Sequence, residues 1–177
     1  VGNFRKKKWL GIAIALGLMG VIVAAVILKD IPNPKKLVSD EYPESSQIYD
    51  RNGKLLYEFF ADKRRQSVAL SEIPKNLKEA TLAIEDANFY KHGGFDIKGI
   101  IRGLYRTIFE KRLQGGSTLT QQLVKNALLT PERTWSRKIK EAVLTIATEI
   151  LYSKDQILEM YFNQTPYGGT MWGAEAA

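Results

Sequence analysis

Between Trp9 and Leu28 the chain carries no charged residue, and Arg5, Lys6, Lys7 and Lys8 stand directly before that run. About 20 residues make a helix roughly 30 Å long, which matches the hydrocarbon core of a bilayer. A soluble surface helix keeps one polar face; this run has none. A cleaved signal peptide has a shorter apolar region, about 7–15 residues, followed by a small-x-small cleavage site. This run is longer and ends Val26-Ile27-Leu28-Lys29. It therefore reads as an uncleaved single-pass anchor over 9–28, with Trp9 at the interface. The basic tail over 1–8 stays cytoplasmic, and everything after the anchor lies outside.

Of 177 residues, none is cysteine and one, His92, is histidine. That excludes a disulfide framework, a thiolate nucleophile and a cysteine or histidine-rich metal centre. The net charge of +7 suits an anionic partner such as a phosphorylated substrate or an acidic membrane surface. Nucleic acid is not expected, because the basic region lies outside the membrane. The chain reads as a fragment of something longer. Residues 29–46 hold Pro32, Pro34 and Pro43 among mixed charges, an extended linker. In the segment 47–70, Asp50-Arg51-Asn52-Gly53 separates two β-prone runs, a strong hairpin signal. A lone hairpin is marginal in water, so it is expected to pack on the region C-terminal to it, with Tyr49, Tyr57 and Phe59 as packing residues.

From Ser71 the apolar period is helical and strand signals vanish. Leu77, Ala80, Thr81 and Ile84 mark one face of a first helix, which ends at Glu85 and Asp86. That end of the helix dipole is unfavourable for an anion and favours a basic carboxylate. Phe89, Tyr90, His92 and the Gly93-Gly94 break follow at once. Ile97, Ile100, Ile101, Leu104 and Ile108 then recur at helical spacing beside a stripe of Lys98, Arg102 and Arg106. Two readings of this basic helix stand: one places its cations toward lipid phosphates, the other packs it on the core. In Gly115-Gly116-Ser117-Thr118, the glycines allow a sharp bend and Ser117 or Thr118 caps the next helix. Ser117, Gln121 and Lys125 share a face of it, flanked by Thr118 and Gln122, with Leu119 and Leu123 inward. A helix N-terminus with a polar face ending in a cation suits a phosphate. Thr130-Pro131 opens the following helix, on which Arg137 and Glu141 pair at i,i+4 while Ile139, Val143, Ile146 and Ile150 form the core stripe. Ser153-Lys154-Asp155-Gln156 is a capping box for a last helix. Gly168, Gly169 and Gly173 then loosen the chain before an Ala-rich helical pattern at its end.

Four motifs thus stand in order: Glu85-Asp86-x-x-Phe89-x-x-His92-x-Gly94, Gly116-Ser117-Thr118-x-Thr120-Gln121-Gln122-x-x-Lys125-Asn126, Arg137-Lys138-x-x-Glu141, and Ile157-Leu158-Glu159-x-Tyr161-x-Asn163. Together they closely resemble the peptidoglycan glycosyltransferase domain of class A penicillin-binding proteins and of the monofunctional glycosyltransferases. The resemblance covers Ile73 to Ala177, and the basic tail, anchor and hairpin also look like the start of a class A protein. It implies a mainly α, lysozyme-like glycosyltransferase domain over 71–177, truncated at its C-terminal end and preceded by a single transmembrane helix and a short β-hairpin. No transpeptidase signature is present within the 177 residues.

The implied enzyme sits on the outer face of a bacterial cell membrane, extracellular or periplasmic. It polymerises lipid II into glycan strands by passing the growing chain from undecaprenyl diphosphate to the 4-hydroxyl of an acceptor GlcNAc, with inversion. Carried over from the motifs, Glu85 is the general base and Glu141 the second acidic residue. Ser117, Thr118, Gln121, Gln122, Lys125, Asn126, Arg137 and Lys138 bind diphosphate and sugar, while Asp86, Phe89 and His92 shape the loop. Glu141 either orients Arg137 or helps to hold a divalent cation, magnesium or manganese, on the diphosphate. Implied partners are lipid II, the growing glycan strand, the bilayer and other cell-wall synthesis and division proteins. Two rivals remain. A lysozyme-like muramidase or lytic transglycosylase needs an acid for a sugar leaving oxygen but no cation cluster. A membrane-tethered scaffold needs no acid at all.

Overall fold

The computed structural model describes residues 17–19, 25–38, 46–59, 64–65, 67–109 and 116–176. Residues 17–19 and 25–28 are helical; the rest of the expected anchor, and the basic tail before it, lie outside the described residues. Among the described residues no helix is long and apolar enough to cross a membrane.

The elements in order are strands β1 (Ser46–Tyr49), β2 (Leu55–Phe59) and β3 (Arg64–Arg65), helices α1 (Lys75–Glu85), α2 (Ile97–Phe109), α3 (Leu119–Leu128), α4 (Trp135–Leu151) and α5 (Lys154–Gln164), and strands β4 (Pro166–Gly168) and β5 (Met171–Trp172). The fold is mainly α. Helix α3 lies at its centre, packed against both α4 and α5. Leu119, Leu123 and Val124 of α3 and Ile157, Leu158 and Phe162 of α5 are excluded from solvent almost completely. Phe89, Ile73 and Leu37 close this core.

Several local expectations hold. Thr118 caps α3 and Ser153 caps α5, each with a reciprocal capping box through Gln121 and Gln156. Strands β1 and β2 pair antiparallel. Their turn is set by Asp50, whose Oδ1 accepts from the Asn52 and Lys54 amides, both at 2.8 Å, with Gly53 at φ +80°.

Other expectations are corrected. The hairpin does not bury its apolar residues: Ile48, Tyr49, Leu55, Leu56, Tyr57 and Phe59 are all exposed, and the Tyr57 ring meets that of Phe59 at a tilt of 59°. The linker is not wholly extended. Asn33 caps a 3-10 turn over Pro34–Leu37, Leu37 is buried, and its carbonyl accepts from Gln164 Nε2 at 2.7 Å. Proline presets the turn, and one apolar residue suffices to dock it. Strand signals do not vanish after Ser71, since β4 and β5 pair antiparallel and β5 pairs parallel with β3. The glycines near the end make this turn possible, with Gly168, Gly169 and Gly173 at positive φ. Residues 173–176 are not helical.

The largest correction concerns which way stripes face. Ile139, Val143, Ile146 and Ile150 of α4 are exposed, and its inward face is Glu141, Leu144, Thr145 and Thr148. The period is real, but a helix with a polar inner face defeats the rule that apolar points in. Helix α4 also starts at Thr134, whose hydroxyl caps the Arg137 amide, not at Thr130-Pro131. On α1, Leu77 and Leu82 reach the core, whereas Ala80 and Ile84 are exposed. Accordingly, Leu123→Ala should cost about 2–5 kcal/mol in urea unfolding, the cost of a fully buried leucine. Ile84→Ala should change stability by less than about 1 kcal/mol.

Candidate active site

Glu85 is the last residue of α1, and its side chain stands exposed at the rim of a hollow of about 580 Å³. Gln122 Nε2 donates to Glu85 Oε2 at 2.8 Å. The hollow is lined by Glu85, Asp86, Asp96, Arg102, Arg106, Ser117, Thr118, Gln122 and Lys125 together with Ala83, Ile84, Ala87, Gly99 and Gly116. The first and second motifs therefore meet across one concavity. Tyr161 is buried nearby, and its phenol is pushed up to about 12, first by burial and then by the charge of Glu85.

The loop from Asp86 to Gly94 is fixed residue by residue. Asp86 is buried and ends α1 as its C-cap. Its carboxylate faces His92 Nε2 at 2.9 and 3.1 Å and accepts from the Leu119 amide at 3.1 Å. Thus one carboxylate ties the C-terminus of α1 to the N-terminus of α3, where the helix dipole favours an anion. Phe89 is buried and meets the His92 ring edge-on. Thr118 caps α3 through its hydroxyl, which accepts from the Gln121 amide at 3.3 Å and donates to the Gly94 carbonyl at 2.7 Å. Gln121 returns the bond, accepting from the Thr118 amide at 3.0 Å. It is buried in the cap and does not line the hollow; Gln122 does. Of the expected face, Ser117 and Lys125 line the hollow as read, and Gln122 takes the place of Gln121. Asn126 does not line the hollow either.

Arg137, Lys138 and Glu141 form a separate cluster. Arg137 Nη1 donates to Glu141 Oε2 at 2.7 Å, and Lys138 Nζ donates to Glu141 Oε1. Glu141 is buried. None of the three lines the hollow of Glu85; Arg137 borders another of about 320 Å³, beside Thr134 and Lys140. In the fourth motif, Glu159 Oε2 accepts from the Leu70 amide at 2.8 Å, and Asn163 bonds both the amide and the carbonyl of Val68. These two residues fasten the segment leading into α1.

The hollow also holds residues that sequence reasoning passes over. The helical pattern points Arg102 and Arg106 toward lipid or solvent, yet both line it. The apolar residues of α2 take the outside: Ile97, Ile101, Tyr105, Ile108 and Phe109 are exposed. Asp96 precedes α2 and caps it. Its carbonyl accepts from the Ile100 amide at 2.8 Å, and its carboxylate accepts from Asn88 Nδ2 at 3.1 Å and stands 3.8 Å from Arg102. Gly99 leaves room for that carboxylate, since a Cβ there would lie 2.6 Å from Asp96 Oδ2. Asp-x-x-Gly before a helical period is the readable signal. The Gly99 amide first, then Asn88, hold the Asp96 carboxyl below its usual 3.8.

A depressed folded-state pKa contributes stability above the unfolded value that is lost as pH falls through the folded value. Asp96→Asn should therefore lower the midpoint of unfolding at pH 7. The gap from wild type should close below pH 3.8, as read by thermal melts across pH.

The transglycosylase family model matches residues 52–177. The chain is 42% identical over 170 residues to penicillin-binding protein 1A of Rickettsia bellii, covering 92% of this chain and 21% of that protein. It is 44% identical over 170 residues to penicillin-binding protein 1A of Aquifex aeolicus, covering 95% and 23%. It is 41% identical over 163 residues to penicillin-binding protein 1F of Bacillus subtilis, covering 92% and 22%. The chain thus spans about a fifth of the length of these relatives.

Proposed function

Because the chain belongs to the transglycosylase family, we propose that it polymerises lipid II into peptidoglycan glycan strands on the outer face of a bacterial membrane, through a lysozyme-like domain anchored by residues 9–28. The observation that carries this reading is one hollow with an exposed carboxylate, Glu85, on its rim and Lys125, Arg102 and Arg106 in its wall.

The reaction needs those two kinds of group. Glu85 takes the proton of the acceptor GlcNAc 4-hydroxyl, and the oxygen attacks C1 of the donor MurNAc. The new C1–O bond forms as the C1–O bond to the diphosphate breaks, with inversion, and the electron pair leaves with the lipid diphosphate. A positioned base contributes roughly 10²–10⁴-fold. A diphosphate needs charge stabilisation rather than a proton, and cations and N–H donors in a partly closed site supply it. Lys125, Arg102 and Arg106 take that part, with Ser117, Thr118 and Gln122 as hydrogen-bonding neighbours. Arg137 and Lys138, held by Glu141, form a second basic station that binds the lipid-linked diphosphate outside the hollow. Asp86, Phe89 and His92 shape the loop of Glu85. Gln121 serves through the cap it makes.

The donor set does not fit a divalent cation held by Glu141. Both its oxygens are engaged by cations, and among the described residues no three acidic or histidine side chains converge. Glu141 orients Arg137 and Lys138; a magnesium or manganese ion, if used, rides on the substrate diphosphate. The outward apolar residues of α2 seat the mouth of the hollow at the bilayer, so that the lipid of the substrate stays in the membrane. A muramidase would protonate a sugar oxygen and has no use for three cations beside its acid.

The test is polymerisation of lipid II in detergent, with finished glycan as a second substrate. Glu85→Gln should keep its fold and lose glycan synthesis by at least about 10²-fold. Lys125→Ala should raise KM or lower kcat. Near-normal elongation by Glu85→Gln would refute the base, and solubilised fragments from finished glycan would favour the hydrolase.

A further inference from the structure

The loop that carries Glu85 is fastened at its far end by an ion pair that the proposed reaction does not use. Gly94 closes the loop at φ +88°, and a Cβ there would lie 2.7 Å from Thr145 Cγ2 and 3.1 Å from Glu149 Cγ. The loop is therefore pressed directly against α4. Glu149 Oε1 accepts from Thr120 Oγ1 at 2.5 Å and from Lys154 Nζ at 2.8 Å. The two charged side chains are only 10% and 21% exposed. The same ammonium stands 4.3 Å from the centre of the Phe89 ring. That ring is buried in the 3-10 turn of the loop. One cation thus joins α5, which it begins, to α4 through Glu149 and to the loop through Phe89. Thr120 adds α3 to the same knot.

None of Thr120, Glu149 and Lys154 lines the hollow, so their influence on chemistry runs through the loop. A desolvated ion pair is a weak source of net stability, because the cost of leaving water offsets the attraction. What it fixes well is geometry, and a cation on an aromatic face is directional. We infer that Lys154 and Glu149 are positioning residues for glycosyl transfer: they clamp the Phe89–Gly94 half of the loop, so that the Glu85 carboxylate is held over the hollow. The inference rests on Glu85 being the base. A displacement of about 1 Å at a reacting group costs on the order of 10²-fold in rate.

The test compares wild type, Lys154→Met, Lys154→Arg, Glu149→Gln and Glu85→Gln in the full chain, with lipid II as substrate and with circular dichroism melts alongside. Lys154→Met keeps the aliphatic stem and loses the charge. Its kcat should fall about 10- to 100-fold with KM within about twofold, and Lys154→Arg should recover most of the rate. Glu149→Gln should show the same split. A folded Lys154→Met with normal kcat, a change confined to KM, or a loss that arginine does not recover overturns the inference. If Lys154→Met fails to fold, Glu149→Gln decides by the same criterion, and if neither folds the pair is structural and the inference falls. Inactive Glu85→Gln beside normal Lys154→Met sinks the inference alone. A wild type that does not polymerise lipid II, or an active Glu85→Gln, sinks the reaction itself and takes the inference with it.

Discussion

The carboxylate of Asp86 joins two helix ends that otherwise have no reason to meet. It accepts from the first amide of α3 and from the His92 ring, while its own amide closes the last turn of α1 onto the Leu82 carbonyl. A buried anion with too few donors would be expensive. Here an imidazole and a helix N-terminus meet it together. Because α1 must end where α3 begins, Glu85 is delivered beside Gln122 and one wall of the hollow is defined. The Thr118 hydroxyl on the Gly94 carbonyl repeats the same device at the other end of the loop. The fold positions its acid by sharing capping groups between helices rather than by burying apolar surface around it.

This explains why some features were legible in the sequence and others were not. The capping box at Ser153, the Asn-Gly hairpin and the Arg137–Glu141 pair are local, set by residues within four positions of one another, and they appear as read; at α3 the cap falls to Thr118, one of the two residues offered. The meeting of the first two motifs came from the family resemblance, which also implied a place for Arg137 and Lys138 beside them that the hollow does not show. Facing was not legible. The apolar rows on α2 and α4 have true helical period, yet both look outward, as the exposure of Ile101 and Ile146 shows. Periodicity identifies a stripe but leaves its direction to the assumption that inner faces are apolar. Helix α4 breaks that assumption, because Glu141 and Thr145 occupy its inner face and Glu149 lies along it, each making a hydrogen bond that a leucine would forfeit. The partners of Glu149 are 29 positions back and five ahead, so no window of sequence announces them.

The outward stripes follow from the same economy. In a domain of this size, few apolar side chains can reach one core, and that core is taken by α3, α5 and Phe89. Turning α2 so that Arg102 and Arg106 enter the hollow necessarily turns Ile97, Ile101 and Ile108 away from it. An apolar exterior beside a cationic hollow is unfavourable in water and suits the edge of a bilayer, where acyl chains and phosphates lie within a few ångströms of each other. Under the proposed function, the exposed apolar side of α2 would add a second membrane contact to the proposed anchor over 9–28.

Glu85 and Lys125 line one hollow, and among the described residues they form no ion pair with each other. The partner of Glu85 is a neutral amide, Gln122, which orients the carboxylate without neutralising it. Among the described residues Lys125 pairs with no carboxylate, whereas Arg137 and Lys138 are both held by Glu141. A direct ion pair with Lys125 would favour the ionised form of the Glu85 carboxyl and make it a weaker base. Under the proposed reaction, separation by one amide and one helical turn keeps a base for a hydroxyl and a charge for a phosphate in the lining of one hollow.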